Sequence, residues 1–239
     1  KFYFMLNNYS LTVLLPVIDE FESLSKTINI LETENQKIKL SFIFILHPSK
    51  TKQKSIDLCK KYKKKSPNNF SILYQKNQLL GGAYIDGINI SESTHILIMS
   101  SDLETDPHLV NKMIKESKEN KDRIICTSRW KLKKSFKNYG IIKTFLNKIF
   151  QSLINVLFNF KLTDYTYGFR IYPTKCLKEF NWKMRNHSFF LEIILLPLKK
   201  GYQAIELPAK WNKRKEGISN NKIIYYLSYF KVILLFIKK

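Results

Sequence analysis

Cysteine is nearly absent from this sequence. Cys59, Cys126 and Cys176 lie far apart, and neither a Cys-x-x-Cys pair nor a Cys/His cluster occurs. Neither a disulfide framework nor a zinc site is expected, and the thiols read as reduced in a cytosolic setting. Glycine and proline are also scarce, with seven of each and no long polar repeat, so extensive disorder is not expected. Uncharged apolar runs stop short of the ~18 residues that a spanning helix needs. The opening Lys1-Phe2-Tyr3-Phe4-Met5-Leu6 lacks an initiator Met and is too short and too aromatic for a signal peptide.

Acidic residues are the other shortage: 19 Asp and Glu face 41 Lys and Arg, a formal net charge of +22. Such a surface attracts nucleic acid, an anionic membrane leaflet or phosphorylated substrates. A lysine-rich compositional habit explains the excess equally well, since Lys, Asn and Ile are abundant together and the lysine clusters are scattered, as at Lys60-Lys61 and Lys63-Lys64-Lys65. Nucleic acid is not expected as a partner, because no recognition helix, zinc spacing or RNA-binding aromatic signature is present.

What the chain does contain is a stretch that organises the rest, His95-Ile96-Leu97-Ile98-Met99-Ser100-Ser101-Asp102-Leu103-Glu104-Thr105-Asp106-Pro107. Its apolar start reads as a buried strand. Its tip carries three carboxylates, and Pro107 suits the first turn of a helix, where its missing N–H would be unpaired anyway. Open α/β sheets present ligands at the carboxyl ends of strands in this way. Hard cations such as Mg2+ take one or two carboxylates together with substrate phosphates. The plainer alternative is an acidic loop that complements the dipole of the following helix.

Buried strands are expected over residues 11–16, 42–46, 70–74 and 95–99, with further strands over 123–128 and 203–207. Helices are expected from Asp19-Glu20-Phe21-Glu22 onward, over 50–65, from Gly81-Gly82, and over 107–118, 138–160, 188–200 and 223–237. The alternation indicates a mostly parallel sheet with helices on both faces. Gly81 and Gly82 would either make a tight strand-to-helix turn, the favoured reading, or let a backbone approach a ligand. The helix over 138–160 has a wide apolar stripe with Lys143 and Lys148 off it. Core packing is the simpler account of that stripe, and interfacial membrane binding the alternative. The closing segment, 223–237, is too short to span comfortably and would lie along a membrane or a partner.

These segments, in this order, resemble the inverting glycosyltransferases of family 2, and most of all the dolichyl- and polyprenyl-phosphate mannose or glucose synthases. The likeness runs from about residue 11 to 219 and is carried by six motifs. They are Leu15-Pro16-x-x-Asp19-Glu20, Gly81-Gly82-Ala83-Tyr84-x-x-Gly87, Met99-Ser100-Ser101-Asp102-Leu103, Thr127-Ser128-Arg129-Trp130, Asp164-x-Thr166-x-Gly168-Phe169-Arg170-x-Tyr172 and Arg214-x-x-Gly217-x-Ser219. The resemblance implies an α/β, GT-A (Rossmann-like) fold with an appended C-terminal amphipathic or apolar helix. It implies one domain, with a nucleotide-sugar-binding half over 11–130, an acceptor half over 131–222 and the apolar helix over 223–239.

The resemblance also implies roles. Pro16, Asp19, Glu20, Asp102, Arg214 and Ser219 would bind the nucleotide-sugar, and Asp102 and Glu104 would hold Mg2+ or Mn2+. Arg129, Asp164 and Arg170 would meet the acceptor phosphate, with Asp102, Arg129 and Arg170 as the catalytic set. An Arg fork matches phosphate bidentately, which is a physical reason for that residue type. The implied partners are a nucleotide-sugar, a polyprenyl phosphate, an anionic membrane surface and, through the C-terminal helix, a membrane protein. The implied location is cytoplasmic, peripheral at the cytoplasmic face of a membrane. Three departures fall on the donor side: Ser100 replaces the first acid of Asp-x-Asp, Leu46-His47 replaces an Asp pair, and Ser219-Asn220 replaces Ser-Lys, with Lys222 nearby. Two other readings therefore stand beside the first, a catalytically impaired homologue that binds lipid phosphate or a partner, and a family 2 transferase with a different acceptor.

Overall fold

Strand β1 (Ser10–Val17) pairs in parallel with both β2 (Lys39–Leu46) and β4 (His95–Ile98), and β3 (Phe70–Tyr74) continues the sheet beyond β2. The structure is a computed structural model that describes residues 9–133, 135, 140–216 and 224–237, the first four of the last stretch by backbone alone. Ser219, Asn220 and Lys222 lie outside the described residues. Helices α1 (Glu22–Glu34), α2 (Gln53–Lys65), α3 (Leu79–Ile90) and α4 (Leu109–Glu119) alternate with these strands and with β5 (Ile124–Ser128). The strands are near-continuous apolar runs because helices cover both faces of the sheet. In β1, Leu14 joins the core shared with α3, whereas Leu11, Val13 and Leu15 join the core beneath α1, α2 and α4.

The later elements hold the first surprise. Residues Arg170–Pro173 form a strand, β6, inserted antiparallel between β4 and β5, and β7 (Ala204–Pro208) pairs in parallel with β5. The sheet order is β3-β2-β1-β4-β6-β5-β7, so the six expected strands run parallel to one another and β6, which was not expected, is the one reversed member. Because β6 comes from beyond residue 131 yet sits between β4 and β5, the two expected halves share a single sheet. A short helix, α6 (Thr174–Lys178), follows β6, and α7 (Phe189–Lys199) packs into the same core as α3.

The two glycines at the start of α3 serve different contacts. Gly81 and Gly82 lie inside the helix, where a Cβ on Gly81 would sit 2.7 Å from the Phe189 Cβ and 2.8 Å from the Arg185 backbone. Gly81 admits the segment before α7 against α3, a contact closed by the Gly82 N–H donating to the Arg185 carbonyl at 3.1 Å, while a Cβ on Gly82 would sit 2.8 Å from Asn77 in the turn between β3 and α3.

Helix α5 (Ile141–Phe158) reverses the ordinary amphipathic arrangement. Its inward row is polar. Gln151 donates to Thr166 Oγ1 at 2.9 Å and accepts from the Tyr165 N–H at 2.8 Å, Asn155 donates to the Leu162 carbonyl at 2.8 Å, and Asn147 accepts from the Trp130 indole at 3.2 Å. The apolar stripe mostly faces out, with Ile141 89%, Ile142 75%, Phe145 62% and Val156 83% exposed. Only Ile154 is fully enclosed, while Phe150 and Phe158 make ring contacts with Tyr229, Phe230 and Phe236 of α8 (Ile224–Ile237). Core packing therefore does not account for the stripe.

Candidate functional site

Loops from the carboxyl ends of β1, β4, β5 and β7 converge on one side of the sheet, the side where open α/β sheets bind ligands. After β4 the chain turns sharply. Leu103 takes φ 64°, a left-handed conformation that costs a branched side chain about 1–2 kcal/mol. The turn is held by Asp102 Oδ1, which accepts the Glu104 N–H at 2.9 Å, and by Ser101 Oγ donating to the Pro16 carbonyl at 2.7 Å. Asp102 and Glu104 are thereby aimed at the same point.

That point is filled by a cation from the far end of the chain. Arg214 Nε and Nη2 each lie 2.9 Å from Glu104 Oε1, and Nη2 lies 3.5 Å from Asp102 Oδ2. Burial raises the Glu104 carboxyl above its ordinary range and the neighbouring Asp102 charge raises it further, against the opposing pull of Arg214. Burial also raises Glu20, with Asp102 and Asp19 adding to it, although Glu20 accepts the N–H groups of Ile18 at 2.7 Å and Asp19 at 3.1 Å. Burial works against the Arg214 charge, but Glu104 and Asp102 outweigh it and hold its pKa up. The chain has built a carboxylate pair that favours positive charge. Among the described residues no three His, Cys, Asp or Glu side chains group at metal-ligating spacing. A divalent ion here would rely on Asp102 and Glu104 with oxygens supplied by its substrate, which is the ligand pattern Mg2+ accepts.

The loop carrying Arg214 is pinned by a residue that sequence reasoning passed over. Glu216 accepts the N–H groups of Phe21 at 3.0 Å, Glu22 at 3.2 Å and Ser23 at 2.9 Å, together with the Ser23 hydroxyl at 2.6 Å. It thus caps the N-terminus of α1 from nearly two hundred residues away, satisfying donors that the helix itself cannot. An acidic residue within a basic loop was the available signal. Burial opposes the Glu216 charge, yet the Ser23 hydroxyl and the three N–H groups outweigh it and hold its pKa at about 2. A carboxyl lowered by folding stabilises above its unfolded value and loses that contribution as pH falls. We expect the loop to detach between the ordinary carboxyl range and about pH 2, and Glu216→Ala to cost about 1 kcal/mol by urea denaturation at neutral pH.

The basic residues after β5 and in β6 are placed differently from the expectation. Arg129 is 6% exposed, and its guanidinium is bidentate to Asp164 at 2.7 and 2.9 Å. Asp164 is wholly buried and also accepts from the Tyr167 N–H at 3.1 Å. The Arg129 guanidinium lies 4.8 Å from the centre of the Tyr167 ring, whose hydroxyl reaches the Glu104 carbonyl at 3.4 Å. Arg170 has no exposed surface and donates to Tyr172 Oη at 3.2 Å and to the carbonyls of Phe190 at 2.8 Å and Asp164 at 3.3 Å. Direct contact of Arg170 or Asp164 with an acceptor phosphate is therefore corrected. Both are enclosed, and the Asp164 carboxylate and the two terminal nitrogens of Arg170 are engaged in fixing the strand and loop that present Arg129.

Two of the donor-side departures, Ser100 and Leu46-His47, fall on described residues and make local contacts. Ser100 Oγ lies 3.1 Å from Thr105 Oγ1, within the acidic turn. Leu46 is buried, and His47 Nδ1 accepts the N–H groups of Ser49 and Lys50, each at 3.2 Å. Burial and the neighbouring Lys50 charge both lower the His47 pKa from its ordinary value. Pro16 and Asp19 are half-buried at the end of β1, beside Glu20. The structure thus brings together Pro16, Glu20, Asp102, Glu104 and Arg214, and holds Arg129 through Tyr167 at the edge of the group.

Residues 12–180 match the family model described as glycosyl transferase family 2. Among solved structures, glucosyl-3-phosphoglycerate synthase from Mycobacterium tuberculosis with Mn2+, UDP and phosphoglyceric acid superimposes with a TM-score of 0.72 at 11% identity, covering 96% of this chain and 80% of that one. The same enzyme with Mg2+ and UDP gives 0.71 at 10% identity, covering 96% and 81%. A mycobacterial protein gives 0.64 at 11% identity, covering 86% and 68%. At such identities these likenesses speak for the GT-A fold, and the match over residues 12–180 speaks for the family: the chain belongs to glycosyl transferase family 2.

Proposed function

We propose that this transferase moves a sugar from a nucleotide-sugar to a polyprenyl phosphate, with a divalent metal, while resting on the cytoplasmic face of a membrane. The observation that carries the acceptor is the outward apolar face of α5. That face is anchored beside the site by the Trp130–Asn147 and Gln151–Thr166 bonds, one residue from Arg129 and two from Asp164 respectively. By length and composition α5 could also cross a membrane, but its polar row is bound to the loop over 162–166, which favours lying along the surface. Lys143 and Lys148 flank the apolar face, so an anionic leaflet is the occupant its chemistry fits.

The chemistry asks little of the protein in proton transfer. A lipid phosphate is already an anion at neutral pH, and its oxygen can attack the anomeric carbon without a base. A metal, when bound, neutralises charge on the departing diphosphate. Asp102 and Glu104 would hold it, Glu20 and Pro16 would border the nucleotide, and Arg214 would meet the diphosphate, while Arg129, locked onto Asp164 and stacked on Tyr167, would position the loop beside the acceptor. The Mn2+, Mg2+ and UDP complexes of the mycobacterial synthase support the donor side of this reading. The phosphoglyceric acid in one of them favours a second reading, in which the acceptor is a small soluble phosphate.

One screen separates the two: UDP-, GDP- and dTDP-sugars with Mn2+ or Mg2+, offered undecaprenyl phosphate, dolichyl phosphate or 3-phosphoglycerate. Label entering the lipid phase supports the first reading, label on phosphoglycerate the second, and no transfer the impaired homologue. The membrane surface has its own test. Co-sedimentation with vesicles containing anionic lipid is expected at low salt, with partial release at high salt. Replacing Ile142 and Phe145 together by Glu should weaken it at least about a hundredfold, since each apolar side chain contributes about 1.5–3 kcal/mol on burial. Protein that stays in the supernatant at low salt sinks the membrane assignment.

A further inference from the structure

We propose that Arg214 is a resident counter-cation that a divalent metal must displace, so that metal and nucleoside diphosphate enter this site as a coupled pair. The inference rests on the metal reading above and adds an order to it. Arg214 shares one oxygen of Glu104 between two of its nitrogens and leans on Asp102 with the second. A metal bound to those oxygens would stand within a few ångströms of the guanidinium, like charge against like charge in a half-buried place. Metal alone must therefore break the Arg214 contacts and then tolerate the displaced charge nearby.

A diphosphate changes both terms. It supplies further oxygens to the metal and offers the Arg fork an anion to replace the carboxylates it gives up. The loop has little freedom to carry Arg214 away in its absence. Lys215 N donates to the Asp102 carbonyl at 3.4 Å, Asn212 N to the Glu104 carbonyl at 3.2 Å, and Glu216 is fixed to the start of α1. Arg214 thus has only side-chain motion with which to choose between carboxylate and phosphate. By linkage, whatever factor UDP adds to metal affinity, metal adds to UDP affinity.

Calorimetric titration of Mn2+ into the whole chain, with and without saturating UDP, tests this. In the native protein Mn2+ alone should bind at least about tenfold more weakly than Mn2+ with UDP. Arg214→Gln should strengthen binding of Mn2+ alone by about tenfold and shrink the gain from UDP by a similar factor; Arg214→Lys, which keeps the charge, should leave Mn2+ alone weak. Glu216→Gln, which touches neither carboxylate, should shift Mn2+ alone in the same direction as Arg214→Gln, and serves if that variant does not fold. Unchanged or weakened Mn2+ binding in folded Arg214→Gln overturns the proposal while leaving the metal reading intact. Absence of Mn2+ binding in every protein, with or without UDP, overturns the metal reading and the proposal together.

Discussion

Asp164→Ala should destabilise the fold by about 3–5 kcal/mol, the largest single-residue effect we expect in this protein. Asp164 is wholly buried and is the bidentate partner of the nearly buried Arg129. Removing the carboxylate strands a guanidinium where water cannot solvate it, and leaves the Tyr167 N–H without its acceptor at 3.1 Å. The pair itself need not be strongly stabilising, because desolvation offsets much of its attraction. Hence Arg129→Met combined with Asp164→Leu should recover most of the loss. Urea midpoints of the native protein and these two variants decide it. An Asp164→Ala protein with a native midpoint would mean that the pair is hydrated in solution and that Arg129 is freer than its 6% exposure implies.

The contrast between legible and hidden parts of this fold has a physical basis. Strands β1 to β5 were readable because a strand covered on both faces needs an unbroken apolar run, as in Phe42-Ile43-Phe44-Ile45-Leu46. Strand β6 was hidden because it has four residues and opens with Arg170, a residue rarely enclosed unless its donors find acceptors. Those acceptors come from Tyr172, Phe190 and Asp164, only the first of which is in the strand. Periodicity showed that α5 has two faces and could not say which one turns inward; the deciding bonds run from Gln151 and Asn155 to the loop over 162–166. Asp102 and Glu104 were legible as an acidic strand end. Their bond to Arg214 was not, since it closes across 110 residues.

Asp102→Asn should lower turnover by on the order of 10²–10³-fold with the fold intact, the largest effect expected on activity. Asn keeps the oxygen that accepts the Glu104 N–H at 2.9 Å, so the turn at Leu103 should survive and only the charge is lost. Turnover is measured with whichever donor and acceptor the screen finds, at saturating Mn2+. A second readout needs no turnover. The Asp102 charge is among the causes that raise Glu20 and Glu104, so removing it should move both carboxyls down toward their ordinary range. Carboxyl carbon resonances followed by NMR between pH 3 and 8 would report this directly (the range being roughly that of carboxyl titration in proteins). Turnover lost with both titrations unmoved would place Asp102 apart from its acidic neighbours and deny it a share in a common cation site. Both carboxyls moving down while turnover is kept would leave the electrostatic site real and relieve Asp102 of its part in the reaction.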